Sequence, residues 1–141
     1  MKVRVVVFMF VILFSSISMS FAQDTSPKSL TDAFLRMLQD GKTSQAFDLL
    51  FVGSEIPKSK PQAVEVLKRQ IDSALPLYGK ILGFESIREE KFGTTIVRLV
   101  YVLKSEKAPT IWEFYYYKPK SEWFLANVMF NDQFFLLESK Q

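Results

Sequence analysis

The fold is decided by residues 94–130, TTIVRLVYVLKSEKAPTIWEFYYYKPKSEWFLANVMF. Three runs in this stretch, residues 94–104, 110–118 and 122–130, are rich in β-branched and aromatic residues, which suit the pleated surface of a sheet. Two short turns, each carrying a proline, separate the runs. Strands joined by such short connections are antiparallel, so the stretch predicts three consecutive strands of one antiparallel sheet.

The residues before this stretch predict one more strand and three helices. Residues 82–92 are interpreted as the first strand, with Gly93 in the turn that follows. Apolar residues at helical spacing predict a helix that begins at an N-cap on Ser29 and ends before Gly41, a second over residues 44–52, and a third that begins with a capping box at Ser59 and Gln62 and ends at Pro76. Residues 53–60 are expected to form a loop.

Helices followed by hairpin-linked strands predict an α+β fold, in which the N-terminal helices pack on a curved antiparallel sheet of about four strands. A single domain over residues 29–141 fits the commonest domain size of about 100–150 residues. In residues 96–103 both alternating sets of side chains are mostly apolar, so both faces of this strand are expected to be covered. The helices cover one face. Either a second copy of the chain covers the other, as a homodimer through the sheet, or the strand only looks two-sided.

Residues 1–22 have the features of a signal peptide: a basic start, an apolar run over residues 5–14, and small residues before a cut after Ala22. The apolar run is shorter than the roughly 20 residues that a spanning helix needs. We expect removal of this segment, a polar tether over residues 23–28, and a mature protein that is periplasmic or secreted, with no membrane attachment.

The composition excludes several kinds of chemistry. The chain has no cysteine and no histidine, which rules out disulfides, thiolate nucleophiles, histidine triads and the usual zinc or haem ligands. No Asp-rich loop has the ligand spacing of a calcium site, so no metal and no cofactor are expected. The net charge of +3 falls to about +1 (+3 minus 2) when Lys2 and Arg4 are removed. Because the remaining basic residues are scattered among acidic ones, no nucleic-acid partner is predicted.

The order of elements resembles a known superfamily. The N-terminal helices, a Leu77-Tyr78-Gly79 turn that leads to a strand, and a tryptophan-led final strand over residues 123–130 resemble small secreted members of the nuclear transport factor 2-like, cystatin-like cone superfamily. The resemblance spans roughly residues 29–133. It implies a cone-like fold with a cavity between the concave sheet face and the helices, often in a homodimer. Dehydratase-like members rely on histidine, which this chain lacks, whereas isomerase-like members use a carboxylate base with a tyrosine and a second acid.

Four residues of the predicted sheet are candidate ligand-binding residues: Tyr101, Glu113, Tyr115 and Asn127. A carboxylate held in an apolar cavity becomes a stronger base, so Glu113 beside a tyrosine donor would suit proton abstraction. The alternative is that Glu113 lies on the outer side of the sheet and pairs with Arg98 on the neighbouring strand, while the aromatic residues pack in the core or at an interface.

The sequence therefore favours an exported, non-catalytic binding or interaction module, which holds a small apolar ligand in the cone cavity or binds a protein partner. A cofactor-free lyase or isomerase that uses a buried carboxylate and a tyrosine is the alternative. The apolar residues 134–137 are expected either to fold back on the domain or to form a contact surface.

Overall fold

A computed structural model describes residues 25–134 of the chain. The predicted signal peptide, residues 23 and 24 of the tether and the apolar residues after Phe134 lie outside the described residues. The elements are α1 (Pro27–Gln39), α2 (Thr43–Leu50), α3 (Ile56–Ser59), α4 (Pro61–Ala74), a 3₁₀ helix (Leu75–Tyr78), β1 (Ile81–Phe92), β2 (Ile96–Ser105), β3 (Thr110–Tyr117) and β4 (Phe124–Asn131). The predicted α+β fold is confirmed: helices pack on a four-stranded antiparallel sheet with the order β1-β2-β3-β4.

The alternation of side chains along the strands divides the sheet into two faces. The inner face is turned to the helices, and its side chains on β2 and β3 are almost fully buried: Val97, Leu99, Tyr101, Leu103, Trp112, Phe114 and Tyr116. The outer face points away from the helices. It carries the intervening residues, such as Ile96, Arg98 and Glu113.

An aromatic cluster joins the helices to the inner face. The ring of Phe34 on α1 meets Phe47 of α2 edge-on, with ring centroids 5.1 Å apart. On the sheet side the same ring meets Trp112 and Phe114 at 5.6 and 5.7 Å. All four side chains are less than 2% exposed. Aromatic side chains therefore fill the space between α1 and β3, in the layer where the resemblance implied a cavity.

The two tryptophans lie in contrasting surroundings. Trp112 stacks on Phe130 of β4 with ring centroids 5.1 Å apart, and it is buried. Trp123 comes just before β4, is only half-buried, and has the ammonium of Lys118 4.9 Å from its ring centroid. Trp112 thus belongs to the core, whereas Trp123 packs at the end of the sheet through a cation–π contact.

Two helix starts differ from the sequence prediction. The first helix begins with Ser26 as its N-cap, whose Oγ accepts a hydrogen bond from the backbone N–H of Ser29 at 3.3 Å. Pro27 follows in the first turn, where its missing N–H costs little, so the helix starts earlier than an N-cap at Ser29 predicted. The predicted capping box at Ser59 is wrong as well. The N-cap of α4 is Lys60, and its side chain forms no capping hydrogen bond.

The region between α2 and α4 is also more ordered than predicted. Residues 53–60 were expected to form a loop, but they contain the single-turn helix α3. Ser54 holds this segment against the sheet, because its Oγ donates to the backbone oxygen of Leu125 at 3.1 Å and accepts from the N–H of Ile56 at 3.2 Å. A hydrogen bond between residues far apart in sequence therefore stabilises the turn.

The 3₁₀ helix ends at Gly79, where the chain turns into β1. Gly79 has φ 85° and ψ −171°, a conformation that is essentially reserved for glycine. A Cβ atom here would also lie 3.1 Å from the Cβ of Glu106. The position therefore requires glycine for both backbone and packing reasons.

Candidate functional site

The outer face of the sheet is organised in rows that cross the strands in register. One residue from each strand forms the apolar row: Phe92, Ile96, Tyr117 and Phe124. The next outer-face residue of each strand belongs to the polar row: Glu90, Arg98, Tyr115 and Asn127. The one after that belongs to the third row: Arg88, Val100, Glu113 and Met129. Three members of the apolar row remain well exposed, namely Phe92 at 51%, Ile96 at 38% and Tyr117 at 39%. A contiguous apolar strip of this kind is typical of an interaction surface.

A network of charges lies beside the apolar row. The guanidinium of Arg98 lies 2.7 Å from Glu90 on β1, and its Nε and Nη2 both lie 2.9 Å from Oε2 of Glu113 on β3. The hydroxyl of Tyr115 donates to the same oxygen of Glu113 at 3.3 Å. The sequence prediction that Glu113 lies on the outer side of the sheet and pairs with Arg98 is confirmed. The carboxylate is only 4% exposed, so the pair forms part of a packed surface.

The pKa values in this network follow from burial and hydrogen bonding. Burial opposes the charge of Arg98, but hydrogen bonds to Glu90 and Glu113 outweigh that effect and raise its pKa further. Burial also raises the pKa of Tyr115, and the neighbouring charge of Arg98 works against that rise. At neutral pH Arg98 is therefore charged and Tyr115 is neutral.

A hollow of about 370 Å³ lies next to these rows. A register irregularity between β3 and β4 lies at its wall and places Ala126 between the residues that pair with Tyr115 and Tyr116. The extra residue in β4 has a small side chain, and such irregularities bend a strand locally. The hollow is lined by Ile96, Tyr115, Tyr116, Tyr117, Ala126, Asn127 and Met129.

The structure brings together three of the four residues that the sequence singled out. Glu113, Tyr115 and Asn127 lie on the outer face, and Tyr115 and Asn127 line the hollow. Tyr101 lies on the opposite, inner face and is 1% exposed. The four residues therefore do not share one site, and the outer face is the candidate functional site.

Tyr101 belongs to a polar cluster that the sequence did not reveal. Its hydroxyl donates to Oδ1 of Asp32 on α1 at 2.7 Å, and the ammonium of Lys28 lies 3.3 Å from the same hydroxyl. Burial raises the pKa of Tyr101, and the hydrogen bond to Asp32 adds to the rise. The spacing of Lys28 and Asp32 on one helix face is visible in the sequence. Their proximity to Tyr101 depends on how α1 packs on β2.

A second depression, the α4–β4 groove, lies on the helix side of the molecule. It measures about 620 Å³ and is mainly apolar. Its lining residues are Val66, Arg69, Gln70, Ser73, Ala74, Leu77 and Phe130. None of these residues belongs to the outer-face rows, so the groove is a separate feature.

Comparisons with known proteins assign no family to the chain: no protein-family model, no curated protein and no solved structure matches it. Within residues 25–134, no three acidic side chains lie close enough together to hold a metal ion. No helix in the same range combines the length and the apolar character that a membrane crossing requires. The candidate function therefore rests on the geometry of the outer face.

Proposed function

We propose that this chain is an exported, non-catalytic interaction module, whose binding surface is the outer face of its sheet and whose partner is a second copy of the chain. The observation that carries the proposal is the exposed apolar row, to which every strand contributes one side chain. Covering it would remove Phe92, Ile96 and Tyr117 from water, which is favourable by about 25 cal/mol per Å² of apolar surface.

The charges of the outer face suit a second copy. Along the paired strands this face carries three acidic and three basic side chains, Glu85, Glu90, Glu113, Arg88, Arg98 and Lys104, so its formal charge is zero. Two identical surfaces that meet about a twofold axis repel each other when they carry net charge. This one does not. Arg98 is already paired within the chain, so covering it leaves no unpaired buried charge.

The arrangement of Glu113 favours binding over catalysis. A general base must be accessible to the proton of its substrate, and Glu113 is only 4% exposed. Oε2 of Glu113 already accepts hydrogen bonds from Arg98 and Tyr115, an arrangement typical of a structural ion pair. Tyrosine, methionine and arginine are also among the residues enriched at protein interfaces.

Export rests on the signal-peptide features of residues 1–22. The full chain expressed in a bacterial host should yield a mature protein outside the cytoplasm whose intact mass corresponds to a start at Gln23. Recovery of a full-length chain in the cytoplasm alone would contradict export, while leaving the outer-face proposal intact.

The oligomeric state tests the binding surface. We expect residues 23–141 to run as a dimer in size-exclusion chromatography with light scattering, and we expect Ile96→Lys to produce a monomer. Val52→Lys is the matched control, because Val52 is 55% exposed and lies outside the rows. A wild-type chain that stays monomeric up to about 1 mM, which corresponds to less than about 4 kcal/mol of association, would refute self-association.

A small apolar ligand is the second candidate, and the hollow is the observation that favours it. Its volume of about 370 Å³ lies within the usual range of ligand pockets, about 300–1,000 Å³. Asn127 and Tyr115 would supply polar contacts at its wall. Native mass spectrometry on protein from its own host would detect a bound molecule, and Ala126→Leu should expel it. A bound molecule whose occupancy Ala126→Leu leaves unchanged would place the ligand elsewhere.

A further inference from the structure

The α4–β4 groove leaves large apolar side chains uncovered. Leu77 is 73% exposed and Val66 is 43% exposed, and both line the groove together with Phe130. Arg69 is the charged member of the lining, and it forms no salt bridge to any residue in the range 25–134. An occupant with apolar side chains followed by one acidic group would satisfy this surface.

The described chain ends beside this groove. After β4, the side-chain oxygen of Asn131 accepts a hydrogen bond from the N–H of Gln133 at 2.9 Å, which turns the chain. The carboxylate of Asp132 accepts a hydrogen bond from the hydroxyl of Tyr78 at 3.3 Å. Tyr78 follows the groove residue Leu77 in the 3₁₀ helix, so the chain leaves the sheet next to the lining.

The residues that follow have the chemistry that the groove requires. Residues 135–137 are Phe-Leu-Leu, and Glu138 is the acidic residue of the segment 135–141. Seven residues can extend at most roughly 23–25 Å from the last described position. Since Phe130 lines the groove only four residues before Phe134, this reach is sufficient.

The two edges of the sheet also differ in a way that points to a cover over β4. The edge strand β1 carries five charged residues, Glu85, Arg88, Glu89, Glu90 and Lys91. Charged side chains protect an exposed sheet edge from pairing with another strand. The other edge strand, β4, carries no charged side chain within Phe124–Asn131. Because β4 lacks this charge protection, cover by another segment is one of the ways in which its edge can be shielded.

We propose that residues 135–137 of the same chain occupy the α4–β4 groove, with Glu138 beside Arg69. In this arrangement the C-terminal segment covers the apolar side chains of the groove and shields the end of β4. This inference concerns the helix side of the molecule and stands independently of the proposal for the outer face.

The absence of native cysteine makes a crosslinking test direct, because engineered thiols have no competitors. The mature chain would carry Ser73→Cys, in the groove lining, together with Leu137→Cys. The control pairs Leu137→Cys with Ser121→Cys, an exposed position just before β4, at the far end of that strand from the groove. Under mild oxidation we expect the first pair to form a disulfide within the monomer at least about tenfold faster than the control pair.

Charge reversal provides the second measurement. In the Ser73→Cys, Leu137→Cys background, Glu138→Arg should slow the crosslinking severalfold, and adding Arg69→Glu should restore it. Lys140→Glu is the control for a general change of charge in the segment. Equal crosslinking rates for the two cysteine pairs would overturn the proposal. A disulfide that forms only between two chains would also overturn it, since the occupant would then be a second copy.

Discussion

Arg98 on β2 forms its ion pair diagonally, with Glu113 on β3, whereas the ring centroid of Tyr115, which lies directly opposite, is 6.0 Å from the guanidinium. The same guanidinium also reaches Glu90 on β1. One side chain therefore links three of the four strands across the outer face. Because the carboxylate of Glu113 is almost fully buried, the pair is expected to matter for stability more than a surface ion pair does.

We predict that Arg98→Ala lowers the free energy of unfolding by about 3 kcal/mol, because it leaves Glu113 buried without its cation. The double variant Arg98→Ala, Glu113→Ala should lose less than the sum of the two single variants, by at least about 1 kcal/mol in urea unfolding. The exposed pair Lys58 and Glu55 is the control and should show a coupling below about 0.5 kcal/mol. Strict additivity at Arg98 and Glu113 would contradict the prediction.

The hydroxyls of Thr31 and Tyr116 lie 2.8 Å apart in the core and join α1 to β3. Tyr116→Phe should cost about 1–3 kcal/mol, because it leaves the buried hydroxyl of Thr31 without this partner. Adding Thr31→Val should recover part of the loss, since neither side then buries an unsatisfied group. Tyr117→Phe, at a position 39% exposed, should stay within about 0.5 kcal/mol. Equal losses in the two tyrosine variants would argue against a role for the hydroxyl pair.

The aromatic cluster depends on Phe34, whose ring contacts three other aromatic rings. Phe34→Ala should lower the free energy of unfolding by about 3–5 kcal/mol, because it opens a cavity between the helices and the sheet. Leu82→Ala is the matched truncation at a position that is 59% exposed, and it should cost less than about 1 kcal/mol. Chemical denaturation of the two variants measures the difference. A loss at Phe34 as small as that at Leu82 would mean that the cluster contributes little.

Stability should fall at alkaline pH. Burial raises the pKa of Tyr101 and of Tyr116 above their ordinary value. The folded state therefore keeps protons that the unfolded chain releases, so the stabilisation is complete below about pH 10 and is lost as the pH rises through the raised values. Ultraviolet absorbance of tyrosinate, recorded with circular dichroism, measures both processes. The double variant Tyr101→Phe, Tyr116→Phe should show a shallower decline from its own starting stability, and an unchanged decline would contradict this origin.

The strands could be predicted closely because their signal is local. The predicted strand 110–118 is observed as Thr110–Tyr117, since its residues suit a sheet whichever strands lie beside them. The start of α1 was misplaced because Ser26 and Ser29 are both acceptable caps. Pro27, which decides between them, was assigned to the tether. The short helix α3 was missed because contacts of Ser54 with Leu125, distant in sequence, help to hold that turn.

The candidate site could be predicted only in part, because it depends on how strands pair. In β2 the residues of both faces are mostly apolar, so the face on which Tyr101 lies could not be assigned from its strand alone. The hollow lies at the extra residue Ala126 in β4, and a bulge is a property of two paired strands. The diagonal pair of Arg98 and Glu113 could be anticipated, because it requires only that β2 and β3 are neighbours.

The different surroundings of the two tryptophans give the protein a pair of built-in optical probes. Trp112 is stacked in the interior, and Trp123 sits near the solvent beneath the ammonium of Lys118. Replacing Trp123 by phenylalanine would leave an emission that reports only on the junction of helices and sheet. Replacing Trp112 instead would leave an emission that reports on the end of the sheet, so the two variants together distinguish loosening of the interior from fraying of the sheet end.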